Sequence, residues 1–471
     1  MKKYTVVVNR LLFIICSAIS LIIAGVIAII NLKEGYELLF SLPLAACICF
    51  IILYLSNADY KNNVGILFIF ALMFVRYVLH PFILVMGNFT TPIGRNVSLY
   101  INSAVWLLIY EMFAITITVI LASRQRLLAT HRERKKKITL KMLGFILLTL
   151  VLFCLVVIIL LPDTKNMFRT IFELSEYDFT TVTFKTTMNR AGSLIRIVQT
   201  LFSMFFHFLR IMMPASSLYF LFRSGKSERL IYCVALIWGI IQFMFVTSTF
   251  AESIVSAVVI LLATLKLCPN RRKKMVKTTV FAIFGIFILF FAVRFNVKYG
   301  DGNSMPGMSY ISYIVNAYFT GVENVAAIFL VPSEFKWSSL FFNLYGAIPF
   351  NSTLFGLEGM KLQSYFNTYS DSYGQIVPSI ASGFYFFGVL FSPAFSIFQT
   401  YWAVRNGKRA NETIYYWKYI VYSFLAIIFS LGIAMYSESI VLGWFTSWGL
   451  PMYIISCFSD DLLERKTQCN E

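Results

Sequence analysis

The residues best able to do chemistry in this 471-residue chain are cations set where apolar sequence leaves little room for them. Arg76 and His80 stand four apart inside an otherwise uncharged apolar stretch, a spacing that puts both on one helix face. Arg196 opens another such stretch, with His207 and Arg210 further along it, and Arg294 and Lys298, again four apart, close a third. Arg95 and Arg190 lie in connections. A planar guanidinium can bind phosphate through two parallel hydrogen bonds. Arg76, Arg95, Arg190, Arg196, Arg294 and Lys298 are therefore candidates to hold an anionic ligand, a diphosphate above all. The plainer alternatives are an ion pair between Arg76 and Glu111, and long side chains reaching out of the apolar layer to lipid headgroups.

A reaction that deprotonates a hydroxyl needs a carboxylate or an imidazole within hydrogen-bond reach. Glu323, in the string YFTGVENV (318–325), Asp371 and His80 are the candidates. For the two carboxylates the alternative is a solvated loop acid or a helix cap. Tyr365, Phe366, Tyr369, Tyr373 and Tyr385 suit the faces of sugar rings, although a tyrosine belt at a membrane–water boundary has the same composition. Eight cysteines, most inside apolar runs, form no disulfide framework, and three scattered histidines with no paired CxxC offer no zinc site. We expect neither a bound metal nor a cofactor.

The elements that must position these groups are membrane helices. Hydrophobic residues make up 59% of the chain and charged residues 13%, against about 45–50% and about 25% in soluble domains. Soluble enzymes and disordered chains are excluded. Uncharged runs recur along the sequence, each long enough to cross about 30 Å of hydrocarbon. We read about twelve, including Val64–Met86, Ile195–Phe222, Thr278–Arg294 and Val377–Trp402. The fold class is thus all-α, a single polytopic membrane domain over 1–471. The net charge of +18 sits mainly in alternate short connections, such as RERKKK at Arg132–Lys137 and RRKK at Arg271–Lys274. By the positive-inside rule these are cytoplasmic, as are both termini, and the charge signals topology rather than nucleic-acid binding. On the other side fall two long loops, 162–194 and 295–376, far beyond usual connection lengths. Within the larger, Tyr310–Phe319 and Val325–Phe335 are expected to form short helices lying on the outer membrane face.

Several strings carry a resemblance: RYVLHP (76–81), YFTG (318–321), AIPF (347–350) and GQIVPSIASGFYFFG (374–388). With this topology and one dominant late outer loop, the chain resembles the Wzy-type repeat-unit polymerases of bacterial capsule and O-antigen polysaccharides. The resemblance implies a metal-independent glycosyltransferase of the bacterial plasma membrane. A growing glycan on undecaprenyl diphosphate would be moved onto an incoming undecaprenyl-diphosphate-linked oligosaccharide at the outer leaflet. Glu323, Asp371 or His80 would act as base, the cations named above would hold the diphosphate, and Gln375, Tyr373 and Tyr385 would contact saccharide. Membrane lipids, a flippase and a chain-length regulator are the implied partners. The competing expectation is a lipid-linked oligosaccharide flippase or another transporter, for which an internal repeat and short loops on both faces are expected and not seen.

Overall fold

A computed structural model of the chain describes residues 2–30, 32–58, 62–125, 140–161, 193–244, 250–278, 285, 307–351, 359–372 and 374–458. Most of these residues are helical, with no strand among them. In chain order the helices used below are α1 (Lys2–Ile29), α2 (Ser41–Leu55), α3 (Val64–Phe74), α4 (His80–Met86), α5 (Ser98–Arg124), α6 (Leu140–Leu160), α7 (Ser193–Arg223), α8 (Glu228–Met244) and α9 (Phe250–Leu267). Then follow α10 (Gly307–Tyr318), α11 (Val322–Ala327), α12 (Lys336–Tyr345), α13 (Leu362–Tyr369), α14 (Ser379–Phe387), α15 (Ala394–Glu412), α16 (Tyr416–Leu431), α17 (Glu438–Trp444) and α18 (Leu450–Phe458).

Six spans are long and apolar enough to cross a bilayer: Leu11–Ile29, Val64–Met86, Ser98–Arg124, Lys141–Leu160, Leu194–Arg223 and Glu438–Phe458. Two bent pairs, Ala251–Leu267 with Pro269–Thr278 and Gly307–Tyr318 with Val322–Leu330, raise the number to 8 if each is one span. The protein is therefore all-helical and suited to a membrane, with six to eight candidate spans among the described residues where the sequence suggests about twelve. The expected span Thr278–Arg294 lies almost wholly outside the described residues.

Two departures from the expected spans matter for the site. The run Val377–Trp402 is not one helix: α14 ends at Gly388, whose φ of +78° suits glycine, and α15 begins only at Ala394. The stretch 403–412 continues α15 as helix beyond the expected end at Trp402. Polar Ser396, Gln399, Thr400 and Asn406 lower the hydropathy of α15, yet all are buried, because this helix packs against α3, α5 and α16 in the middle of the bundle. Helix α3 docks on it through small residues. A Cβ on Gly65 would stand 2.1 Å from the Ala403 carbonyl oxygen. Asn63 caps α3 by accepting from the Ile66 amide at 3.2 Å, and donates to the Val404 carbonyl at 2.9 Å.

The large loop is only partly interfacial. Rather than lying flat, α10 and α11 form a pair bent by 55° that packs into the bundle, α10 against α4 and α11 against α5. By contrast α12 turns Trp337 (69% exposed), Phe341 and Leu344 outward at positions i, i+4 and i+7, while Ser339 and Asn343 face inward. An apolar stripe turned away from the protein is the pattern of a helix lying in a lipid interface.

Because the Gly65 contact is backbone against backbone, it has no flexible side chain to yield. Gly65→Val is expected to lower stability by ~1–3 kcal/mol, read as an earlier melt in detergent. Gly25→Ala, at a glycine with nothing within 4 Å, serves as the unchanged control.

Candidate functional site

The third span widens where its chemistry sits. Val75–Leu79 is a turn of π-helix, with the His80 amide bonding back to the Val75 carbonyl. Pro81 follows and has no amide hydrogen, so the ordinary α-helical ladder cannot run through this point. The wider turn ahead of Pro81 carries Arg76 and Tyr77.

Arg76 is buried, and its guanidinium meets the Glu111 carboxylate of α5 at 2.9 Å. Tyr77 donates to the same carboxylate oxygen at 2.8 Å, and Ser396 of α15 donates to the other. Arg76 also donates to the Thr320 carbonyl at 2.8 Å and to the Ile433 carbonyl. Both carbonyls belong to backbone between helices: Thr320 at the tip of the α10–α11 pair, Ile433 just beyond α16. Thr320 in turn donates its amide and its hydroxyl to the Ala434 carbonyl, each at 3.0 Å. Arg76 lies roughly midway along Val64–Met86, so the loop tip that reaches it lies deep in the bundle. The plainer alternative for Arg76, an ion pair with Glu111, is the arrangement in place. With its side chain 0% exposed, Arg76 is closed off from a diphosphate in this conformation.

Next to this pair lies a buried polar cluster. Gly321 rides against the His80 ring so closely that a Cβ there would be 1.9 Å from Cε1, and only glycine leaves the tip room to seat. Two residues on, Glu323 is 1% exposed; its Oε1 accepts from the Tyr36 hydroxyl at 3.4 Å, and its Oε2 has no hydrogen-bond partner among the described residues. Burial, then the neighbouring Glu323 carboxylate, push the Tyr36 phenol well above its ordinary value. Asn324 donates to the Gln375 side chain at 3.4 Å. Partners are likewise lacking, among the described residues, for His80 Nε2, Asn316 Oδ1, Asn324 Oδ1 and Arg76 Nη2. Such a concentration of unsatisfied buried polar atoms is costly and marks a place where water or a ligand belongs.

The segment 375–378 that brings Gln375 here is not helical, and α13 satisfies backbone groups of Gln375 and Val377. Gln363 donates to the Gln375 carbonyl and accepts from the Val377 amide at 3.3 Å, while Asn367 accepts from the Gln375 amide at 3.1 Å. Gln363 and Asn367 are four apart on one helix face, so a single face of α13 substitutes for a paired strand. Tyr36, Asn316, Asn324, Gln363 and Asn367 escaped the sequence reading. The i, i+4 amide pair ahead of GQIVPS was the available signal.

Of the expected site residues, then, Arg76, His80, Glu323 and Gln375 come together. Others do not join them. Asp371 is exposed at φ +49°, in a loop contact where the Gly94 amide meets its carbonyl at 3.2 Å and the Arg95 amide meets the Ser370 carbonyl at 3.1 Å. Arg95 is exposed beside it. Arg196 stands near the start of α7, a helix that packs on α6, α8 and α9. Tyr385 is buried and donates to the Pro332 carbonyl at 2.7 Å, and Tyr365 has one face stacked on Phe335 at 4.1 Å. Arg190, Arg294, Lys298 and Tyr373 lie outside the described residues.

A second buried group sits further down α7. Arg210 donates to the Gln242 side chain at 3.0 Å and to Ser253 at 2.9 Å, and lies 3.8 Å from Glu252. The Glu252 carboxylate also stands 3.9 Å from His207 Nδ1. Glu252 is a buried residue of the first turn of α9.

The chain matches no protein-family model, and no curated protein or solved structure is detectably similar to it.

Removing one member of a buried ion pair strands the other charge, at a cost of ~3–5 kcal/mol, whereas replacing both by apolar groups costs less. Arg76→Met is therefore expected to melt well below the wild type in detergent, and Arg76→Met with Glu111→Leu to regain part of the loss. Equal melting of Arg76→Met and wild type would show that the pair has no structural role.

Proposed function

We propose that this protein is a membrane glycosyltransferase that polymerises lipid-diphosphate-linked saccharide repeat units, with Glu323 as general base. The observation that supports this reading best is a convergence. Of the strings that carry the sequence resemblance, RYVLHP and YFTG are far apart in the chain yet meet directly, through Arg76 to Thr320 and Gly321 against His80, and GQIVPS joins the same buried polar cluster through Gln375 and Asn324, three residues beyond YFTG.

In the proposed reaction the acceptor hydroxyl loses its proton to Glu323 as its oxygen bonds to the anomeric carbon of the donor glycan. The bond from that carbon to the diphosphate oxygen breaks, and the lipid diphosphate leaves with the electron pair. Tyr36 orients the carboxyl group through Oε1 and leaves Oε2 for the acceptor. Because Glu323 is enclosed, the acceptor reaches it when the segment bearing Tyr36 moves aside. Loop-end cations, among them exposed Arg95, take the diphosphate, and Arg76 acts by seating the loop tip that carries Glu323. On this reading the large loop faces outward from a bacterial plasma membrane, and the chain termini face the cytoplasm.

One observation favours a second reading. The buried His207, Arg210 and Glu252 group is of the kind that lines translocation pathways, so a lipid-linked oligosaccharide flippase is the rival. Purified protein supplied with a synthetic lipid-diphosphate repeat unit separates the two. The polymerase is expected to build a ladder of longer products, which Glu323→Gln abolishes with melting behaviour kept. A wild-type reaction that leaves chain length unchanged would refute the proposal, and a full ladder from Glu323→Gln would remove that residue from the chemistry.

A further inference from the structure

A cavity of about 680 Å³ runs beside α15, closed on its other sides by α16 and the α17–α18 span. From α15 it takes Ala394, Phe398, Trp402 and Arg409, a spacing that follows one helix face over roughly 22 Å at 1.5 Å per residue. Phe429 and Phe445 line the opposite walls. Phe398 is 55% exposed at the rim, so the slot opens sideways, where the bilayer would lie. A long, narrow, apolar slot fits an extended hydrocarbon chain and is poorly shaped for a compact solute.

Its two ends differ: one carries a buried carboxyl group, the other a cation. At one end is Glu438, buried, with Oε1 accepting from Asn343 at 3.0 Å and from Ser382 at 2.8 Å. At the other is Arg409, and its neighbours show what is distinctive about it. Arg405 donates to the Gln125 side chain at 3.2 Å, and Lys408 to the Gln125 and Ser123 carbonyls at 2.8 and 3.3 Å, so both fasten the end of α5. Arg409 instead turns to the slot, its guanidinium 5.8 Å from the Tyr422 ring centroid, with no carboxylate paired to it among the described residues. An amphiphile lying here is oriented by Arg409, to which an anionic head is drawn.

We propose that the slot holds one acyl chain of an anionic phospholipid whose phosphate rests against Arg409. This places a bound lipid at the end of the bundle rich in Arg and Lys, away from the polar cluster around Glu323. A polyprenyl diphosphate substrate bound with its head at the loop end would meet buried Glu438 and no cation of the slot lining, and so does not fit this slot.

The test uses the full chain in detergent, with bound lipid read by native mass spectrometry and stability by melting temperature. Phosphatidylglycerol is expected to be retained in preference to phosphatidylcholine of the same chains, and glycerophosphoglycerol, the headgroup without chains, to give no stabilisation. Arg409→Gln should weaken phosphatidylglycerol retention about fivefold, the factor one basic side chain contributes at an anionic surface, and Arg409→Lys should restore most of it. Leu442→Trp, which fills the slot without touching the charge, should weaken retention of both lipids. Equal retention of the two lipids, indifference to Arg409→Gln, stabilisation by the headgroup alone, or displacement by a polyprenyl diphosphate would each overturn the proposal.

Discussion

A guanidinium buried among helices must be neutralised and its donors satisfied, and much of this fold can be understood from how Arg76 meets that demand. Glu111 supplies the charge, and Tyr77 and Ser396 fix the carboxylate in turn. The remaining donors reach out of the helices to carbonyls of Thr320 and Ile433. Those carbonyls need a donor as much as Arg76 needs acceptors, because unwound backbone inside a membrane protein is tolerated only where protein or water completes its hydrogen bonds. One side chain thereby secures the α10–α11 tip, the end of α16, α5 and, through Ser396, α15. Positioning of the candidate base follows. Glu323 is three residues from Thr320 and on the far side of Gly321, so its place is set by an ion pair it does not touch.

The same logic accounts for the wide turns. Both π-helical turns described, Val75–Leu79 and Phe445–Gly449, end one residue before a residue that is followed by proline, Pro81 in one and Pro451 in the other. In each the amide of the intervening residue, His80 or Leu450, bonds back five residues, which keeps the helix going where proline leaves a carbonyl without its usual donor. The first turn presents Arg76 and Tyr77 to Glu111. The second holds Trp448, whose ring stacks on His207 at 4.3 Å and so abuts the other buried ionic group.

This explains which parts of the architecture could be read from the chain. Long runs such as Val64–Met86 and Ser98–Arg124 announce themselves because every turn is apolar. Helix α15 is announced only in part: the expected span stops at Trp402, and Gln399, Thr400 and Asn406 lower the hydropathy of the helix, yet all three are buried by protein, with α3, α5 and α16 packed on it. Hydropathy reports what a residue prefers on average and is blind to a polar residue buried by protein. The α10–α11 pair misleads in the opposite sense. Its apolar periodicity suggests a membrane surface, whereas its hydrophobic faces pack on α4 and α5 and its polar tip is held by Arg76. At the site, Arg76, His80 and Glu323 stood out as ionisable residues in improbable places. Tyr36, Gln363 and Asn367 did not, because an uncharged side chain that satisfies a distant backbone leaves no local pattern beyond its spacing.

The two faces of α15 divide the molecule's requirements. One face turns Ser396 to Glu111 and the small residues Ala403 and Gly407 to α3, where close approach leaves no room for anything between the helices. The other carries Phe398, Trp402 and Arg409 along an open slot. A helix so tightly held on one side is a rigid wall for the other, so whatever fills the slot can do little to shift the Arg76 network by pushing on α15 itself. Its influence would pass instead through the α17–α18 span, which lines the slot, contains a π turn and, through Glu438, holds Asn343 of α12 and Ser382 of α14. Glu438 therefore links the slot to the helix that follows GQIVPS. Slot-lining Gln399 of α15 makes a second link, accepting from Ser379, the last residue of that string, at 3.2 Å.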